Sequence, residues 1–166
     1  VREMLTQYTT FDEVRAVLGV SDEELEDEVL IQPFYERQLI LDIEDVDAGI
    51  PDAFDTVSAI QYASRTKVQK RFFDLVQLFS AYAIGRTLLT SMPYFAELRV
   101  QDGRSEKERV KDPFAFTRDG VQAGFTAARQ SLLAAYAGIT GTPATTRVTR
   151  TLLSSVGLAT DPVTNT

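Results

Sequence analysis

Residues 68–89 read VQKRFFDLVQLFSAYAIGRTLL. Within them Val68, Phe72, Leu75, Phe79, Tyr82, Arg86 and Leu89 recur at alternating intervals of four and three. A seam of that period stays on one side of an α-helix and packs a neighbouring helix at a shallow crossing angle. The spacing returns in Val121, Phe125, Ala128, Leu132, Ala135 and Ile139. Two long antiparallel helices, seam against seam, are therefore expected to form the core of an all-α small helical bundle. Met92-Pro93 stops the first helix near Ser91, and Gly138 and Gly141 end the second. The second helix carries Gly124, Ala127, Ala128, Ala134, Ala135 and Ala137, which let backbones approach closely, either within the bundle or against another subunit. Arg86 is the polar member of the first seam. It is expected to snorkel or to pair with a carboxylate on a neighbouring helix.

Upstream of this hairpin the signals are short helices. Thr10 and Glu13 have capping-box spacing, and Phe11, Val14, Val17 and Leu18 share one side of a helix over 10–18 that Gly19 ends. A second box, Ser21 with Glu24, predicts a following helix with Leu25 and Val29 on one face. Asp22, Glu23, Glu24, Glu26, Asp27 and Glu28 crowd its start, more carboxylates than a helix dipole needs. Pro33 is expected to break or kink this helix, after which Phe34, Leu39, Ile40 and Ile43 carry an apolar face to about Val46. Gly49 and Pro51 mark a turn. Residues 99–112 alternate in charge around Gly103 and read as a solvated loop between the long helices. From Thr140 the chain is rich in Thr, Gly and Pro, and its best strand candidate is Arg147, Val148, Thr149, Arg150, Thr151, Leu152 and Leu153. The domain reading is a helical bundle over 1–140 followed by an extended C-terminal arm over 141–166.

Charge is divided by position. Residues 1–62 hold sixteen Asp and Glu against three Lys and Arg, net −13, whereas 63–166 hold eight against fourteen, net +6, which together give the chain's −7. Complementary fields of this size orient association with another copy or a partner. With no Cys and no His, the chain has no thiolate nucleophile, no Ser-His-Asp arrangement and none of the usual Cys- or His-ligated metal sites. No phosphate-cradling glycine loop, EF-hand spacing or nucleophile elbow appears. No catalytic residue, metal or cofactor is expected, and an enzyme is not. No apolar run approaches the roughly 20 residues that cross a bilayer, so the reading is a soluble, unexported protein without a membrane partner. The 14–21 stretch followed by a helix has the outline of a helix-turn-helix. A recognition helix beginning Asp22-Glu23-Glu24 would set negative charge against phosphate, however, which makes a DNA-binding regulator the weaker reading.

Residues 8–25, YTTFDEVRAVLGVSDEEL, resemble the opening of head-tail connector, or adaptor, proteins of tailed bacteriophages. Those proteins commonly open with a Thr-capped short helix ending in Leu-Gly-like residues, an acidic turn, and a second helix with the first inward-facing Leu or Ile. The later order here, a Pro-interrupted helix, paired long helices, a polar loop and an extended end, is similar in architecture rather than in residues. The resemblance implies a non-enzymatic virion protein of the neck, made in the host cytoplasm. It would form a homo-oligomeric ring, as a rule of twelve copies, beneath the portal protein and above a lower neck or tail protein. Double-stranded DNA would pass through the ring without specific binding. The alternative from another class is a helical protein-protein interaction module outside any virion.

A ring needs unlike patches that meet between neighbouring copies. On the charge count, Asp22, Glu23, Glu24, Glu26, Asp27 and Glu28 are candidates for one patch and Arg65, Lys67, Lys70 and Arg71 for the other. A second acidic run, Asp42, Glu44, Asp45, Asp47, Asp52 and Asp55, is a candidate lining for a channel through which DNA slides without sticking; ordinary solvation is the competing reading for both runs. The arm segment Arg147–Leu153 is expected to bind portal by adding a strand to a sheet edge.

Overall fold

Local capping places the first helices. In the computed structural model, which describes residues 5–91 and 115–141, a short α1 (Leu5–Tyr8) leads to α2 (Phe11–Leu18). The Thr10 side chain accepts the Glu13 N–H, and the Glu13 carboxylate accepts the Thr10 N–H at 3.0 Å, so the expected capping box is complete. Gly19 closes α2 at φ 70°, a left-handed conformation that favours glycine. Thr10→Ala is expected to cost about 1 kcal/mol in urea unfolding and Thr10→Ser close to nothing; equal losses would mean that the box does not hold the helix.

The second box does not open a helix. The Ser21 N–H donates to the Glu24 carboxylate at 2.8 Å, but the Ser21 hydroxyl donates to that same carboxylate at 3.1 Å. Residues 22–24 form a turn, and α3 (Asp27–Leu30) is a single helical turn. Two forces oppose the longer helix. Adjacent carboxylates repel one another, and Arg15 takes the Leu25 carbonyl with Nε at 2.9 Å and Nη2 at 2.8 Å. A continuous helix would give that carbonyl to the Val29 N–H, which bonds to the Glu26 carbonyl instead. The expected Leu25–Val29 face is replaced by buried Leu25 and Leu30 with Val29 half-buried. The helix-turn-helix outline is not formed, since Gly19 is followed by a turn and the single-turn α3 rather than directly by a second long helix.

Pro33 both breaks the chain from α3 and starts α4 (Pro33–Val46), where its missing N–H costs nothing. Tyr35, Leu39, Ile43 and Val46 are the buried face; Phe34, expected inside, is 48% exposed, and Ile40 is half-buried. Gly49 and Pro51 do mark a turn, but Pro51 also lies in the first turn of a helix the pattern reading missed, α5 (Ile50–Ser58). Its buried Ile50, Phe54 and Val57 stand at four-three spacing, the signal that was available. A 3-10 turn (Tyr62–Ser64) precedes α6 (Lys67–Ser91), which Thr66 and Gln69 cap reciprocally. α7 (Ala115–Thr140) contains Gly138 rather than ending there, and Gly141 at φ 67° follows it.

The long helices pack antiparallel as expected. Moving up α6, Phe72 meets Tyr136 and Phe79 meets Phe125, with ring centroids 6.1 Å and 5.1 Å apart. On α7, Val121, Phe125, Ala128, Leu132 and Ala135 are buried, with Ile139 half-buried at the end. On α6 only Phe72 and Phe79 of the expected seam are fully buried; Val68 is 47% exposed, and Leu75, Tyr82, Arg86 and Leu89 are half-buried. The deepest α6 residues include Val76, Ser80, Ile84 and Leu88, because α2, α4 and α5 pack on other sides of this helix. Ser80 tolerates full burial by donating to the Val76 carbonyl at 2.7 Å. Among the described residues the regular elements are helical, and none of the helices is long and apolar enough to cross a membrane. The polar loop 99–112 and the arm from 142 onward lie outside the described residues.

Candidate functional site

Ion pairs fix how α4 lies along the hairpin. Tyr35 near its start has its hydroxyl 3.5 Å from Ser91 Oγ at the end of α6. One turn before its end, Asp42 accepts Arg86 Nη2 at 3.1 and 3.0 Å, and Asp45 accepts Arg129 Nη2 of α7 at 2.8 Å. Arg86 thus pairs with a neighbouring helix, as its place in the seam predicted, and its Cζ stands 3.9 Å from the centroid of Phe125. The start of α4 belongs to the Ser91 end of the molecule. At 1.5 Å per residue, α6 sets that end about 36 Å from Lys67.

The acidic run over 22–28 bridges Leu18, which packs near Gly85, to this Ser91 end. All six carboxylates are exposed. Glu24 is engaged by Ser21, and Asp27 by Arg15, a pair that holds the guanidinium pKa above its ordinary value against the opposing effect of burial. Directly after the run come two exposed apolar side chains, Ile31 at 44% and Phe34 at 48%, and Leu41 at 58% lies two turns along α4 from Phe34.

At the other end, Lys67 and Arg71 are exposed and Lys70 is half-buried, its Nζ 5.3 Å from the centroid of Tyr62. Arg65 does not belong to this patch. Its side chain is 9% exposed, with Nε donating to the Ile60 carbonyl at 2.9 Å and Nη2 to the Ser58 carbonyl at 3.2 Å, at the end of α5. Its Cζ lies 4.0 Å from the Phe73 centroid. Nη1 is buried without a hydrogen-bond partner among the described residues, a cost that the cation–π contact partly offsets. Arg65 is a structural clamp on the α5–α6 connection.

The second acidic run divides as well. Asp42 leaves it, since its side chain is 12% exposed and committed to Arg86. Glu44, Asp45, Asp47, Asp52 and Asp55 are exposed. The charges of Glu44, Asp52 and Asp55 act on Tyr8, and those of Asp47 and Asp52 on Tyr136. Burial first, then Asp55, Glu44 and Asp52, raises the Tyr8 pKa; burial first, then the charge of Asp47 and a hydrogen bond to it, raises that of Tyr136. Unfolded tyrosine ionises near pH 10.0, so the fold keeps its full stability below that value and loses it as pH climbs through the higher folded-state values. Alkaline titration followed by circular dichroism is expected to show this loss, reduced in Tyr8→Phe and Tyr136→Phe; equal alkaline midpoints in all three proteins would clear the tyrosines.

No family model, curated protein or solved structure matches this chain. The arrangement therefore has to speak through its own chemistry. Among the described residues no group of His, Cys, Asp and Glu has a metal-holding arrangement. The fold sets the carboxylates of residues 22–28, with exposed apolar side chains beside them, at the Ser91 end, and the Lys67, Lys70 and Arg71 cluster about 36 Å away along α6 at an end that also holds the carboxylates near Tyr8 and Tyr136. Sequence reasoning named most of the charged residues but missed Ile31, Phe34 and Leu41 as surface groups; exposure is decided by packing, and only the clash of Phe34 with the Tyr35–Leu39–Ile43 period hinted at it. The proposed portal segment, Arg147–Leu153, lies outside the described residues.

Proposed function

We propose that this chain is a head-to-tail adaptor of a tailed-phage virion, a ring-forming protein beneath the portal that extends the DNA channel and joins head to tail. The observation that carries the reading is the separation, along one helical bundle, of the exposed carboxylate cluster of residues 22–28 from the cation cluster Lys67, Lys70 and Arg71. Unlike patches favour heterologous contacts, and heterologous contacts that close give rings. The residues of the resemblance agree with this reading locally: a Thr10-capped helix ends at Leu18-Gly19 and runs into an acidic turn whose Leu25 faces inward. Glu44, Asp45, Asp47, Asp52 and Asp55, one exposed acidic stretch, are the groups proposed to face the lumen, where like charge keeps the duplex from sticking. The arm is proposed to carry the portal contact.

Electron cryomicroscopy of the purified protein mixed with a portal ring from the same genome tests this. Added density closing into a ring at the narrow end of the portal is the expected result. A bare portal beside folded, unattached protein overturns the portal-docking adaptor reading.

A further inference from the structure

Along one face of α6, residues 67, 71, 74, 78, 81 and 85 follow one another at four-three spacing. The upper half of this stripe is covered: Ala81 and Gly85 are buried, and a Cβ on Gly85 would stand 3.2 Å from Val17 Cγ1 and 3.5 Å from Leu18 Cδ2 of α2. The lower half is bare. Lys67, Arg71 and Asp74 are exposed, and Leu78 is 45% exposed although the stripe is apolar immediately above it. Tyr62, 49% exposed, leans on this half by donating its hydroxyl to Asp74 at 3.4 Å and lies under Lys70. The surface has two apolar side chains, Tyr62 and Leu78, with the cations Lys67, Lys70 and Arg71 toward the start of α6 and the Asp74 carboxylate between those cations and Leu78. At the far end of the molecule Ile31 and Phe34 stand exposed behind Asp22, Glu23, Glu26 and Glu28, which make no ion pair with cations among the described residues. Apolar side chains bordered by charge are the anatomy of a protein–protein interface.

We infer that Ile31 and Phe34 of one copy dock onto Tyr62 and Leu78 of the next, the carboxylates of residues 22–28 meeting Lys67, Lys70 and Arg71. The occupant is a second copy because the exposed carboxylates of residues 22–28 and the Lys67, Lys70 and Arg71 cluster are complementary in charge and both belong to this one chain. The two surfaces lie apart along α6, one running from its start to Leu78 near its middle and the other at its Ser91 end, so a dimer formed this way leaves one of each unsatisfied, and assembly continues head to tail. This inference rests on the ring reading above and assigns its interface. Apolar anchors supply most of the affinity in such contacts, and the charges supply orientation and rate.

The test uses two full-length variants, Ile31→Asp/Phe34→Asp and Lys67→Glu/Lys70→Glu/Arg71→Glu, checked for native helicity by circular dichroism. Sedimentation velocity at low salt follows them singly and mixed. Each variant alone is expected to stay monomeric, with self-association at least about tenfold weaker than in the unaltered chain. Their equimolar mixture is expected to form a dimer and stop there, because one variant keeps the acceptor face and the other keeps the anchor. A mixture that stays monomeric, or a single variant that still forms higher oligomers, overturns the assignment. No portal is present, so failure here removes these faces, whereas a bare portal in the microscopy experiment removes the adaptor reading.

Discussion

Phe79→Ala is expected to cost the fold about 3–5 kcal/mol. Phe79 is fully buried on α6, its ring 5.1 Å from that of Phe125 on α7, and the pair sits where the two long helices press together. Truncation removes the transfer energy of the ring and leaves a cavity whose walls are held by two long helices and cannot collapse freely. A domain of this size has about 5–15 kcal/mol in all, so the loss takes a large share of its stability. Phe116→Ala is the control. That phenylalanine is 90% exposed at the start of α7, and its removal is expected to change stability by no more than about 0.5 kcal/mol. Urea unfolding of the two variants settles the contrast, and similar losses would contradict the helix pairing described above.

Gly124→Ala is expected to be the most damaging small substitution, at about 1–3 kcal/mol. A Cβ at that position would stand 2.5 Å from Cζ and 2.8 Å from Cδ1 of Tyr82, and closer still to Cε1. Three ring carbons are involved, so the tyrosine has to move as a whole or the helices have to part. The backbone conformation is ordinary helix, and the penalty is one of space. Ala gains helix propensity over Gly by about 1 kcal/mol, which sets a lower limit on how much strain a net loss implies. In the double variant Gly124→Ala/Tyr82→Leu the ring carbons are gone, and the losses are expected to be less than additive. Additive losses would mean that Tyr82 is not what the glycine accommodates.

These two residues mark where pattern reading worked and where it did not. On α7, five of the six expected seam residues are buried, because α7 lies at the edge of the bundle and faces one main neighbour, α6. A helix with one buried side shows one stripe, and periodicity reads it directly. α6 is surrounded by α2, α4, α5 and α7, so its buried surface is wider than any single seam, and Val76, Ile84 and Leu88 outrank Leu75, Tyr82 and Leu89. The type of partner for Arg86 followed from its position among apolar residues. Its identity as Asp42, 44 residues away in the chain, did not.

The candidate faces divide in the same way. Composition and order along the chain established a helical protein without thiol or imidazole chemistry and with an acidic beginning and a basic remainder. Such properties are local or additive, so they survive without knowledge of the fold. Tertiary structure decided which charges are free: Arg65 goes inside against Phe73, Asp42 is taken by Arg86, and Arg15 takes the Leu25 carbonyl and so ends a helix that its neighbours would have continued. It also decided that Ile31, Phe34 and Leu78 remain outside and that the two charged patches lie at opposite ends of α6. Those outcomes depend on contacts between residues distant in the chain, whose energies no local pattern contains.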